Sequence, residues 1–78
     1  MGSRQLTSPV TAAVRSALLL AATERRLSEA SIAASTALSR SAVHNALRGT
    51  GGLTVDAFVA ICRALEIEPA DVLRSATA

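Results

Sequence analysis

Between positions 40 and 48 the chain reads RSAVHNALR. Advanced by roughly 100° per residue, as on a helix, Arg40, Ser41, His44, Asn45 and Arg48 fall within about 140° of one another. Ala42, Val43, Ala46 and Leu47 occupy the opposite arc. One side therefore suits a core, while the other gathers hydrogen-bonding groups and no acid. Such groups match the base edges displayed in a major groove: Arg bonds guanine bidentately, Asn bonds adenine, and Ser bonds several edges. Nearer the ends, Ser39 and Arg48 are placed for phosphates instead. The competing reading is an ordinary solvated face, although such faces usually mix in Glu or Asp.

Other chemistry is poorly supplied. His44 is the only His, Cys62 the only Cys and Phe58 the only aromatic; all eight basic residues are Arg. A Ser–His–Asp relay has no evident partners around His44. One Cys permits no disulfide within the chain, and a Cys/His zinc site lacks ligands. Base stacking, as single-strand binders use it, has a single ring to work with. Cys62 shares an apolar stripe with Phe58, Ile61 and Leu65, which reads as core rather than a reactive thiol. The run Gly49-Thr50-Gly51-Gly52 invites comparison with a phosphate cradle, but that motif follows a strand and needs a Lys. No enzymatic activity, cofactor or metal is expected.

The elements that must position the 40–48 face are all helices, since no alternating strand pattern occurs and Ala, Leu and Arg favour helix. Ser8-Pro9 is a start signal. Ser28, Ser39 and Thr54 are further N-caps, each able to accept from a first-turn amide. Around them, Leu27 with Ile32, Leu38 with Val43 and Leu53 with Phe58 have hydrophobic-staple spacing, and Ile67 with Val72 repeats it around Pro69. These signals predict helices at 9–25, 29–35, 40–48, 55–65 and 69–74. Along the first, Val10, Val14, Ala17, Leu18 and Ala21 form the apolar stripe. The link through Thr36-Ala37-Leu38 forces a sharp corner, as in a helix-turn-helix unit. Gly49 stands where a helix end favours a left-handed residue, and the glycines after it suggest a flexible, closely approaching loop.

The chain has 78 residues, and 17 of its 39 apolar residues are Ala. A domain this small buries only roughly 60% of its unfolded surface, so it needs every apolar helix face. The net charge of +2 is small, but it is unevenly spread. Positions 1–48 hold six Arg against Glu24 and Glu29, a balance of +4; positions 49–78 hold Arg63 and Arg74 against four acids, a balance of −2. The positive part contains the 40–48 face. No apolar run approaches the roughly 20 residues of a membrane span. Positions 1–23 have the Ala, Ser and Arg content of a transit peptide, yet the same stretch supplies a helix face the core requires. The organisation expected is an N-terminal arm at 1–8 (in part a cloning remnant at Met1-Gly2-Ser3), one domain at 9–74 and a tail at 75–78.

Residues 27–49, LSEASIAASTALSRSAVHNALRG, resemble the lambda-repressor/Cro-like (xenobiotic-response-element type) helix-turn-helix family. The likeness extends more weakly over 10–74 and includes ALEIEPADVL, which is similar to the segment leading into that family's last helix. It implies an all-α, compact five-helix lambda-repressor-like domain with its helix-turn-helix at about 28–48. It also implies that Arg40, Ser41 and Asn45 meet base edges, with His44 beside them. Ser39, Arg48 and the backbone around Thr50 fall at phosphate positions, and Ser28 and Glu29 face the backbone from the preceding helix. Three positions depart from the family pattern. Glu29 stands where Gln is frequent, which makes a phosphate contact there repulsive. Ala37 stands where the turn commonly has Gly. Ala22 and Leu47 occupy the places of a frequent Arg–acid pair, and apolar replacement of such a pair is often neutral or stabilising.

The function expected is sequence-specific double-stranded DNA binding, with helix 40–48 in the major groove, by a transcriptional repressor or regulator of phage or bacterial type. Limited contact area on one domain points to a homodimer on a palindromic operator, located in the cytoplasm at the bacterial nucleoid or in a phage-infected host cell. The dimer surface expected is the last helix with the Ile67–Leu73 region, or the surplus apolar surface of the first helix. The alternative is a protein-interaction module on the same fold, such as an antitoxin or regulatory partner, using that surplus at Leu18, Leu19 and Leu20.

Overall fold

Four hydroxyls begin four helices. Ser8 accepts from the Thr11 amide at 3.1 Å, Ser28 from Ser31 at 3.0 Å, Ser39 from Ala42 at 3.0 Å and Thr54 from Ala57 at 3.1 Å. Each bond satisfies an amide that the helix itself leaves unpaired. The helices they open are α1 (Pro9–Glu24), α2 (Glu29–Ala34), α3 (Arg40–Arg48) and α4 (Val55–Leu65); α5 (Pro69–Thr77) starts on Pro69 without a side-chain cap. The computed structural model describes residues 8–78, so the expected arm lies outside the described residues apart from Ser8. No strand occurs among the described residues. The starts match the cap signals, whereas α5 continues three residues past the expected end at 74. There Asp71 pairs with Arg74 at 2.7 Å and the Thr77 hydroxyl donates to the Leu73 carbonyl at 2.8 Å.

Two helix ends are coupled to the next helix's start. Arg26 (φ 56°) and Glu66 (φ 59°) are the only non-glycine residues in the left-handed region among the described residues. Behind them, the Leu27 amide donates to the Ala22 carbonyl at 3.0 Å and the Ile67 amide to the Cys62 carbonyl at 2.9 Å. This is the Schellman arrangement, which turns the chain back on the helix it has left. It delivers Leu27 and Ile67 onto the core, where each also stands one residue before the cap of the following helix. All four residues in that pre-cap position are half-buried, and their partners Ile32, Val43, Phe58 and Val72 are buried.

The core takes fully buried side chains from four helices: Leu18 of α1, Ile32 of α2, Val43 of α3, and Ile61, Cys62 and Leu65 of α4. Val72 closes it from α5. Helix α1 lies against α3, α4 and α5, while α2 lies against α3 and α4, so α3 is braced from three sides. The expected α1 stripe is partly corrected. Val14, Leu18 and Ala21 are buried and Ala17 is half-buried, but Val10 lies at the surface and Ala22 takes a place inside. Ala22 and Leu47, standing where the family often has its ion pair, are both buried in the apolar core. Burial and then the nearby Glu68 carboxylate push the Cys62 thiol up to about 11, so it stays protonated at neutral pH.

Candidate nucleic-acid interface

The corner into α3 is made by one side chain. The Thr36 hydroxyl donates to the Ile32 carbonyl at 2.9 Å and accepts from the Leu38 amide at 3.2 Å. It ties the last turn of α2 to the residue before the α3 cap, so the chain turns without a left-handed residue. Ala37 accordingly has no positive φ, and the Gly common there in the family is not needed.

The exit from α3 works differently. Gly49 is extended (φ −76°, ψ 177°), not left-handed as expected. The reason is Arg15, a buried side chain of α1. Its Nε donates to the Ala46 carbonyl at 3.0 Å and an Nη to the Gly51 carbonyl at 2.7 Å. A carbonyl that a helix end leaves unpaired is thus taken by a guanidinium, and the chain can leave α3 straight. Gly49 is still required, since a Cβ there would lie 2.5 Å from the Asn45 carbonyl oxygen. Gly51 and Gly52 meet nothing within 4 Å of such a Cβ, so close approach is confined to Gly49.

Held at both ends, α3 divides as its sequence pattern predicts. Val43, Ala46 and Leu47 are buried and Ala42 is half-buried, while Arg40, Ser41, His44, Asn45 and Arg48 are exposed. Arg40, Ser41 and Asn45 make no side-chain hydrogen bond or ion pair with another described residue. With Glu29 and His44 they line a shallow cleft of about 320 Å³ on the outer face of α3. Ser28, Ser39 and Thr50 are exposed as well. The oxygens of Ser28 and Ser39 serve as N-caps, and Ser28 also donates to the Ser31 hydroxyl at 3.2 Å.

Glu29 is drawn onto this face. From the first turn of α2 its carboxylate reaches His44, whose Nδ1 lies 3.1 Å from both oxygens, and Arg48, whose Nε lies 3.3 Å from one. An acid in the first turn also suits the helix dipole. The structure therefore brings together the expected His44 and Arg48 through Glu29, a residue the sequence placed towards the DNA backbone and marked as a departure. Two residues escaped the sequence reading, Glu29 as a bridge and Arg15 as a cap. The available signal for Arg15 was a lone charge inside the apolar stretch Pro9–Thr23.

A family model for the Cro/C1-type HTH DNA-binding domain matches residues 19–75. The chain belongs to the Cro/C1-type helix-turn-helix family. No curated protein and no solved structure shows a significant match to it. Family membership supports DNA binding as the general role of this Cro/C1-type domain. No helix among the described residues is long and apolar enough to cross a membrane.

Proposed function

We propose that this Cro/C1-type domain binds double-stranded DNA sequence-specifically as a transcriptional repressor or related regulator. Helix α3 enters the major groove while the start of α2 braces on the backbone. Arg40, Ser41, Asn45 and His44 contact bases; Ser28, Ser39, Arg48 and Thr50 contact phosphates, and residues 9–74 form the working unit. The observation that carries this reading is the exposed arc of α3, which presents two Arg, an Asn, a Ser and a His while its other side is core. The cell cytoplasm, at nucleoid DNA, is the corresponding place of action.

Homodimerisation on a palindromic operator completes the proposal. Val10, Val55 and Leu73, 41%, 74% and 44% exposed, border an apolar hollow of about 250 Å³ between α1, α4 and α5. Its position away from the outer face of α3 suits a two-fold contact that leaves both reading helices free. The same hollow supports the second reading, a module that binds a protein partner in the manner of an antitoxin.

Two substitutions on duplexes selected from a random pool test the assignment. Arg40→Ala is expected to cost about 1–3 kcal/mol and relax preference at one base position. Arg48→Ala is expected to weaken all sequences alike and lower the salt slope by about one contact. Absence of duplex binding at low salt favours the protein-partner reading. A monomer by sedimentation, both free and on a palindromic site, removes the dimer.

A further inference from the structure

We infer that Glu29, through its bond to His44, decides which bases His44 reads. This rests on the DNA reading above and deepens it at one position. The Nδ1 of His44 lies 3.1 Å from both carboxylate oxygens of Glu29. An ionised carboxylate only accepts hydrogen bonds, so the neutral imidazole carries its proton on Nδ1. The other ring nitrogen, Nε2, is then a bare acceptor. It has no partner among the described residues, and the side chain is 56% exposed.

The surroundings of the ring leave this assignment to Glu29 alone. The cleft beside His44 is lined by Glu29 of α2 and by Arg40, Ser41 and Asn45 of α3. Arg48, one turn further along α3, shares the same carboxylate through its Nε. Helices α1 and α4, also packed on α3, contribute no charged side chain to the cleft lining. The one cation within α1, Arg15, is committed to the Ala46 and Gly51 carbonyls.

In the major groove an acceptor can pair only with an amino donor, at N6 of adenine or N4 of cytosine. Guanine presents N7 and O6 and thymine O4, all acceptors, so they repel a bare Nε2. An imidazole free to choose its tautomer would accept either class of edge. Glu29 is therefore a positioning residue for specificity: it removes one tautomer and with it every base pair oriented so that an acceptor edge lies opposite Nε2. A frequent family residue at this place, Gln, has both a donor and an acceptor and lacks this restriction.

Two measurements on the described protein test the inference. Imidazole 15N spectra of the free chain at pH 7.5 are expected to show Nδ1 protonated and Nε2 bare, and Glu29→Gln to mix the tautomers. Protonation at Nε2, or at both nitrogens, overturns the inference without reference to any DNA. In selections from random duplexes, the wild-type site is expected to favour adenine or cytosine over thymine or guanine, on one fixed strand at the base pair whose preference His44→Ala removes, by roughly threefold to tenfold, the worth of one hydrogen bond. Glu29→Gln and His44→Ala should both abolish that preference and leave the others standing. If Glu29→Gln binds specifically with that position unchanged, or alters every position equally, the inference fails while the DNA reading stands. If the chain selects no duplex, the DNA reading fails and takes the inference with it.

Discussion

The two junctions of α3 hold the same helix by opposite means. At its start, Thr36 and Ser39 bond to groups no more than four residues away. At its end, Arg15 reaches carbonyls 31 and 36 residues along the chain. The first junction is local and forms as soon as the two helices form. The second exists only once α1 has docked on α3, so it reports tertiary structure. A reading helix needs both, because its outer face is useful only if its pitch and its rotation are fixed together.

The difference can be broken at the distant end first. Arg15→Met, which keeps an unbranched apolar stem and removes the donors, is expected to destabilise the fold by about 2–4 kcal/mol in urea melts, since two carbonyls lose a charged partner. It should also weaken DNA binding through the 49–54 loop more than its stability loss alone predicts at saturating folding conditions. Gly49→Ala comes next. Its Cβ meets backbone rather than a flexible side chain, and overcrowding of this kind costs about 1–3 kcal/mol. At the local junction, Thr36→Val preserves shape and deletes a donor and an acceptor, for an expected loss of about 1–2 kcal/mol by thermal melting. Smallest is Gly51→Ala, where open space and the absence of a left-handed φ predict a gain of about 0.4–1 kcal/mol from the restricted unfolded chain. A loss at Gly51 comparable with that at Gly49 would mean that the loop, not the helix end, sets the geometry.

The same contrast explains what the sequence made legible. Caps, staples and the two-sided division of α3 depend on residues within one helical turn, so Ser28, Ser39, Thr54 and the exposed arc were readable directly. Arg15 was not, because its partners are backbone carbonyls, which carry no side-chain signature. Gly49 was misread for a related reason: a helix-end glycine usually supplies a left-handed turn, but here the distant guanidinium removed the need for one. The left-handed positions went instead to Arg26 and Glu66, residue types that give no such signal. Glu29 was visible as an acid out of place, but its grip on His44 and Arg48 depends on how α2 crosses α3.

Cys62 turns one consequence of this core into something measurable. It is the only thiol in the chain, it has no exposed surface, and its proton is held to about pH 11. An alkylating reagent can therefore reach it only when α4 has come away from the other helices. The rate of modification, divided by that of an unstructured thiol, is the fraction of molecules open at any instant. The protein thus contains its own gauge of the share of molecules in which α4 stays packed on its neighbours, α3 among them.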